Sequence, residues 1–156
     1  MEKMYYLAYG SNLNLSQMKR RCKDSKVVGT AVLDDYRLMF KGSKTGSYLT
    51  IEKEKGCKVP LGVFEISEDD LSKLDIYEGY PTFYYRKLIE VKVKKKDGMV
   101  KNLKGLIYTM HEDRKIGVPN DIYMNICIDG YKDFNFNTDY LFNAYKYSLK
   151  EIKNDK

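Results

Sequence analysis

Two short stretches of this chain carry the residue types that proton transfer and carbonyl chemistry require. The first is Tyr9-Gly10-Ser11-Asn12, which follows the apolar run Tyr5-Tyr6-Leu7-Ala8. A run of that length reads as a buried strand, and Gly10-Ser11-Asn12 is a sharp turn signal. A helical pattern begins directly after it, with Asn14 placed as a cap and Lys19, Arg20 and Arg21 in its last turns. Strand, glycine turn and helix start in succession leave backbone N–H groups without internal partners. Such a loop suits a carboxylate, or a carbonyl oxygen that is gaining charge. On spacing alone the simpler reading is an ordinary strand-to-helix turn.

The second stretch centres on Glu78. Ser67 caps a short helix whose first turn holds Glu68, Asp69 and Asp70, near the positive end of the helix dipole, and Gly79 and Pro81 end it. Glu78 therefore lies at or just past the C-terminal end, where the negative end of the dipole raises a carboxyl pKa. Burial among Tyr77, Tyr80, Phe83, Tyr84 and Tyr85 acts in the same direction. A glutamate tuned upward is what proton transfer at neutral pH needs, whereas a solvated one is simply a helix end.

Other candidates carry less. His111 is the only histidine and sits in a charged loop, which favours a surface residue. Ser11 has no histidine near it in sequence and no GxSxG context, so hydrogen bonding suits it better than nucleophilic attack. Gly10, Gly42 and Gly46 form neither a dinucleotide fingerprint nor a phosphate loop. Asp69, Asp70 and Asp75 read as helix-surface residues, so no metal site is expected. Tyr123 and Ile126 fit the core stripe of their helix as well as a cavity wall.

The elements that must position these residues follow from the same patterns. Strands are expected at 27–33 and 36–41 about a tight turn at Asp34-Asp35, then at 48–52, a turn at 53–58, and a strand at 61–66 with a bulge near Gly62. Residues 83–95 form a long alternating strand with Ile89, Val91 and Val93 on one face and Lys92 and Lys94 on the other. It pairs through an Asp97-Gly98 turn with a strand ending at 106–109. A polar loop at 111–118 leads to Pro119 and a helix over 121–129 stopped by Gly130. A last helix carries Leu141, Tyr145 and Leu149 at helical spacing. The total, about seven mostly antiparallel strands and four helices, predicts an α+β fold with a strongly curled or closed sheet. One domain over 1–150 and a frayed tail at 151–156 are expected.

Composition excludes several classes. A hydrophobic share of 43% over 156 residues rules against disorder, and 15 Tyr with no Trp suggests walls with polar edges. No run approaches the roughly 18 apolar residues of a membrane span. The opening MEKMYYLAYG carries an acid at Glu2 and turns into strand at once, so no signal peptide is expected. Cys22, Cys57 and Cys127 are odd in number and far apart, which fits free thiols in a reducing cytoplasm. The net charge of +6 could draw nucleic acid, but much of it sits on the lysine-rich hairpin around Asp97-Gly98, where charge discourages edge pairing. No RNA-binding or helix-turn-helix signature accompanies it, so no nucleic-acid partner is expected.

Taken together, YLAYGSNLN within 5–14, GVFEIS at 62–67, LDIYEGYP at 74–81, and Tyr85 after them resemble the γ-glutamylcyclotransferase family, also called the AIG2-like or butirosin-type cyclotransferases. Pro119, Tyr123, Ile126 and Gly130 resemble that family's third motif. Two positions depart from it: Asn120 stands where a serine is usual, and Tyr131 where a small residue commonly follows the glycine. The resemblance implies a small, partly closed, mixed β-barrel with flanking helices. It also implies cleavage of γ-glutamyl amides to 5-oxoproline by attack of the substrate's own α-amine. Glu78 would be the general acid and base. Tyr9, Gly10, Ser11, Asn12 and Leu13 would hold substrate oxygen, with Tyr85 and Tyr123 lining the cavity. The implied partner is a small γ-glutamyl molecule, with no cofactor, metal or membrane, and the oligomeric state is left open. The alternative is a catalytically silent relative that only binds a ligand or partner.

Overall fold

A single long hairpin frames the fold. In the computed structural model, which describes residues 3–43 and 46–154, β2 (Lys26–Ser43) and β3 (Gly46–Ile66) pair antiparallel from Lys26↔Glu65 to Ser43↔Gly46. Parts of three expected features lie outside the described residues: the N-terminal stretch with Glu2, the tip of the 42–46 loop, and the last two residues of the tail. Four strands were expected where these two run. The turn residues at Asp34-Asp35 and at 53–58 face each other across the hairpin as one irregularity instead. Asp35 takes a left-handed conformation (φ 62°), the register shifts between Asp34 and Tyr36, and the Asp35 carboxylate accepts from Gly56 N at 3.0 Å. A bulge absorbs the same residue types as a turn. No shift occurs at Gly62, which pairs with Ala8 and Thr30; the second irregularity falls between Val27 and Gly29.

Three further strands close the sheet. β1 (Met4–Ala8) lies antiparallel to β3 and parallel to β5 (Val100–Met110), β5 pairs with β4 (Tyr84–Lys95), and β4 returns to β2. Five strands therefore form a closed mixed β-barrel, and the sixth, β6 (Lys115–Ile116), adds to the edge of β2 inside a stretch expected to be loop. The β4–β5 hairpin turns about Asp97-Gly98 as its sequence requires, with Val91 and Val93 buried and Lys92 and Lys94 exposed. Leu7, Phe40, Leu49, Leu61, Val63 and Ile107 are all but sealed from water in the core.

Four α-helices flank the barrel: α1 (Leu15–Arg21), α2 (Glu68–Glu78), α3 (Asp121–Asp133) and α4 (Asp139–Asn154). Gly130 does not stop α3, which runs through it. A Cβ there would lie 2.5 Å from Asn14 N, so the missing side chain lets the helix press onto the chain after β1. Along α4, Leu141, Ala144 and Ser148 face the core and Leu149 is exposed, and the helix runs into the stretch expected to fray. Among the described residues no helix is long and apolar enough to cross a membrane, and the three cysteines are unpaired.

Candidate active site

The glycine turn leaves β1 as Tyr9-Gly10 and continues as a single 3-10 turn, Ser11–Leu13, before α1. Leu13 N donates to Gly10 O at 3.1 Å and Asn14 N to Ser11 O at 2.9 Å, so the Leu13 amide is occupied in closing the turn. The amides just before it have no partner within the turn, as at any helix start. Asn14 caps α1 by accepting from Gln17 N at 3.1 Å.

Side chains fix the turn from behind. The Asn12 carbonyl oxygen accepts from Gln17 Nε2 (3.1 Å) and Arg21 Nη1 (3.2 Å), while its amide donates to Tyr6 Oη at 3.0 Å. Gln17 Nε2 also donates to Ser11 Oγ at 2.9 Å. α3 grips the turn through Asn14 Nδ2 donating to Ile126 O (3.2 Å) and through the buried Tyr131, whose hydroxyl donates to Tyr9 O at 2.8 Å. The large residue after Gly130 thus ties α3 to the residue that opens the turn.

Glu78 is the last residue of α2, as its local sequence required. Ser67 and Asp70 form a reciprocal capping box at the start, and Gly79 ends the helix in the left-handed conformation at φ 65°. Asp70 is not a surface residue: it is fully buried, and its carboxylate accepts from Ser67 N and from Asp24 N. Asp75 is likewise engaged, paired with Arg86 on β4 at 3.0 Å and accepting from Tyr108 Oη at 2.6 Å. These contacts anchor α2 at one end to the chain after α1 and at the other to the barrel wall, so the direction of Glu78 is set by both.

Glu78 and the glycine turn line one cavity of about 460 Å³, a volume suited to a small ligand. Tyr9, Gly10, Ser11, Asn12, Tyr123 and Glu78 all contribute to its wall. Leu13 and Tyr85 do not. Leu13 is fully buried in the core, and Tyr85 turns away, its hydroxyl donating to Glu112 Oε1 at 2.7 Å and its ring 4.9 Å from that of His111. Tyr84 takes the place in the wall, with its hydroxyl donating to Leu49 O at 2.7 Å. Sequence reading also missed Arg21, Gln17, Tyr48 and Tyr108 as wall residues. The two-residue period of β4 puts Tyr84 on the face of the exposed Lys92 and Lys94, so no local signal marked it; what turns it inward is α2, which Arg86 on the same face reaches. His111 stays outside the cavity, its Nε2 2.9 Å from Pro81 O.

The electrostatics of the cavity are set by few charges. Withdrawal from bulk water raises the Glu78 carboxyl from 4.5 to about 7, with Arg21 pulling weakly the other way. Burial, with the Glu78 charge adding to it, pushes the phenols of Tyr6, Tyr9, Tyr84 and Tyr123 well above their usual value. They stay neutral and serve as hydrogen-bonding wall. Tyr123 Oη accepts from Leu49 N at 3.0 Å, and its ring meets Tyr48 edge-on, 5.0 Å between centroids. Among the described residues no group of acids, histidines or cysteines could hold a metal ion. The arrangement offers a carboxyl with its pKa raised to about 7 in one cavity with a backbone-amide turn, in an enclosure rich in tyrosine.

A family model described as gamma-glutamyl cyclotransferase, AIG2-like, matches residues 6–124. A solved structure named gamma-glutamyl cyclotransferase is 28% identical, with a TM-score of 0.76 over 92% of this chain and 86% of its own. An uncharacterized protein from Homo sapiens is similar at 28% identity, with a TM-score of 0.75 over 92% of this chain and 87% of its own. YkqA from Bacillus subtilis shares the fold at 20% identity and a TM-score of 0.74, over 96% of this chain and 55% of its own. A comparison with curated proteins finds no match.

Proposed function

The chain belongs to the gamma-glutamyl cyclotransferase, AIG2-like family, and from that premise we propose that it cleaves γ-glutamyl amides by ring closure, releasing 5-oxoproline and the free amine. The observation that carries this reading is the carboxyl of Glu78, held near 7, in one cavity with the Gly10–Asn12 turn. An α-ammonium is not a nucleophile, so ionised Glu78 first removes a proton from it. The freed amine attacks the γ-carbonyl carbon, forming the ring C–N bond and placing negative charge on the carbonyl oxygen. The turn amides stabilise that charge. Glu78 then returns its proton to the departing nitrogen as the original amide bond breaks. The ring nitrogen sheds its second proton, which the same carboxylate takes up and passes to the freed amine. No water is consumed, and one carboxyl with a pKa near that of the medium can act in both directions. Folding the glutamyl chain inside the cavity turns the attack into an intramolecular step, which supplies much of the rate.

The test is release of 5-oxoproline from a panel of γ-glutamyl amino acids, γ-glutamyl amines and glutathione, with Glu78→Gln as control. Turnover by the parent, slowed on the order of a hundredfold or more by the glutamine variant, is the expected result. Equal rates in the two proteins would remove Glu78 from the reaction. Silence across the panel would leave a ligand-binding protein.

A further inference from the structure

A cluster of charge lies away from the cavity, on the hairpin of β4 and β5. Between residues 90 and 104 the sequence holds six lysines against two acids, Glu90 and Asp97, and so carries most of the net charge of +6. Lys92, Lys94, Lys96, Lys101 and Lys104 are exposed, and among the described residues no ion pair engages any of them. At the apex the Asp97 carboxylate is occupied by its own turn, accepting from Met99 N at 2.9 Å. Met99 and Val100 follow it with apolar side chains that are 66% and 63% exposed.

Local structure does not require this composition. Lysines keep open strand edges from pairing with other chains, yet Lys94 is already paired on both sides, to Val100 of β5 and to Thr30 of β2. The turn needs Gly98, at φ 88°, but sets no demand for Met99 or Val100. Leaving both in water has a hydrophobic cost that nothing in the hairpin offsets.

We propose that this hairpin tip is a docking surface for an anionic lipid bilayer, with Met99 and Val100 entering the headgroup layer and the lysines meeting lipid phosphates and carboxylates. The residue types favour a bilayer over other polyanions. Residues 90–104 include neither arginine nor an aromatic residue. The tip therefore lacks the forked donors that grip single carboxylates or phosphates, and the rings on which bases stack. Lysine is a point charge on a flexible stem, suited to a surface of diffuse negative charge that demands no register. Only the bilayer also offers an apolar layer directly beneath that charge. A surface contact of this kind needs no membrane-spanning segment.

The placement keeps the cavity clear of such a surface. Tyr84 at the start of β4 and Tyr108 near the end of β5 line the cavity, while the tip joins the opposite ends of the two strands. At about 3.3 Å per residue, that is roughly 35 Å along β4.

Co-sedimentation of the full chain with phosphatidylcholine vesicles, with and without about 30% phosphatidylserine, tests the proposal. At about 0.1 M salt the serine-containing vesicles should bind the protein at least about tenfold more tightly, and about 0.5 M salt should abolish the difference. Replacing three exposed lysines together (Lys94→Gln, Lys96→Gln and Lys101→Gln) should weaken that binding on the order of a hundredfold. A circular dichroism spectrum matching the parent shows that this variant is folded. The sequence has no tryptophan, so Met99→Trp places a single reporter at the apex. Its emission should shift to the blue on addition of serine-containing vesicles and be quenched by brominated acyl chains. Equal binding to both vesicles, or binding to neither, would overturn the proposal. So would a loss of less than about threefold in the lysine variant, or a tryptophan emission that vesicles leave unchanged. Tighter, salt-sensitive binding to a duplex oligonucleotide, unaltered by Met99→Ser, would assign the lysines to nucleic acid and overturn it as well.

Discussion

Replacing Glu78 by glutamine keeps the size of the side chain and removes its charge, so it measures what the fold gives up to hold that carboxylate in the cavity. In the folded protein the carboxyl sits at about 7 against an ordinary value of 4.5. Between those values the folded chain binds more protons than the unfolded one. Stability contributed by this group is therefore fully present at low pH and is lost as pH rises through the folded value. A shift of this size corresponds to about 3 kcal/mol. Because Glu78 is half-buried rather than sealed, about 1–2 kcal/mol is the expected share once solvent screening is allowed for. Glutamine does not titrate and escapes this loss.

Glu78→Gln should accordingly be more stable than the parent by about 1–2 kcal/mol above neutral pH, with the gain shrinking as the pH falls toward the ordinary glutamate value. Urea unfolding at a series of pH values, followed by circular dichroism, reads the difference directly. Other carboxylates titrate equally in both proteins and cancel in the comparison. The signature is one proton's worth of pH dependence in the difference. A constant offset across the series, or a variant less stable than the parent at pH 8, would refute the reasoning. No substrate is required, so the electrostatic argument stands or falls apart from catalysis.

Three further outcomes follow. In a pH profile of 5-oxoproline release, the acid limb of kcat/KM should have an apparent pKa of about 7, with activity lost below it as Glu78 protonates; a limb near the ordinary 4.5 would contradict it. Gly130→Ala should cost about 1–3 kcal/mol in urea unfolding and slow turnover, because a Cβ placed 2.5 Å from Asn14 N pushes α3 off the turn. Tyr85→Phe should change 5-oxoproline release by no more than about twofold. Tyr84→Phe, which strips the Leu49 carbonyl of a buried 2.7 Å hydrogen bond, should lose about 1–3 kcal/mol of stability and lower activity as well.

What was legible in the sequence was what depends on neighbours along the chain. Asn14 and Ser67 cap helices and Gly79 ends one, because each satisfies backbone groups within a turn of itself. Glu78 at a helix end and the glycine turn after β1 are local in the same way. Features set by chain segments far apart were not. Asp34-Asp35 and Gly56 look like two hairpin turns until they are seen opposite each other in one ladder. Gly130 reads as a helix stop until the chain after β1 is seen pressed against it. Tyr84 and Tyr85 are the same residue on opposite faces of a strand, and only the position of α2 decides which of them meets the cavity. Arg21 reads as a favourable charge at the end of α1 and nothing more, since Tyr77, on which it stacks, is distant in sequence.

The two halves of the site nevertheless share one physical origin, and it explains why local signals located them. The cavity is approached from one side by the start of a helical segment, at Gly10–Asn12, and from another by the end of α2, at Glu78. Helix starts present N–H groups and partial positive charge, which suit an incoming oxygen anion; helix ends present carbonyls and partial negative charge, which make a carboxyl there reluctant to ionise. Free amides at the turn thus suit anion holding and the carbonyl end of α2 suits proton exchange, with burial in the cavity supplying the larger part of the shift at Glu78. The enclosing tyrosines sharpen both by excluding water while remaining neutral themselves. A glutamate on a water-exposed turn of α2 would stay ionised at neutral pH, because withdrawal from water is the larger cause of the shift at Glu78.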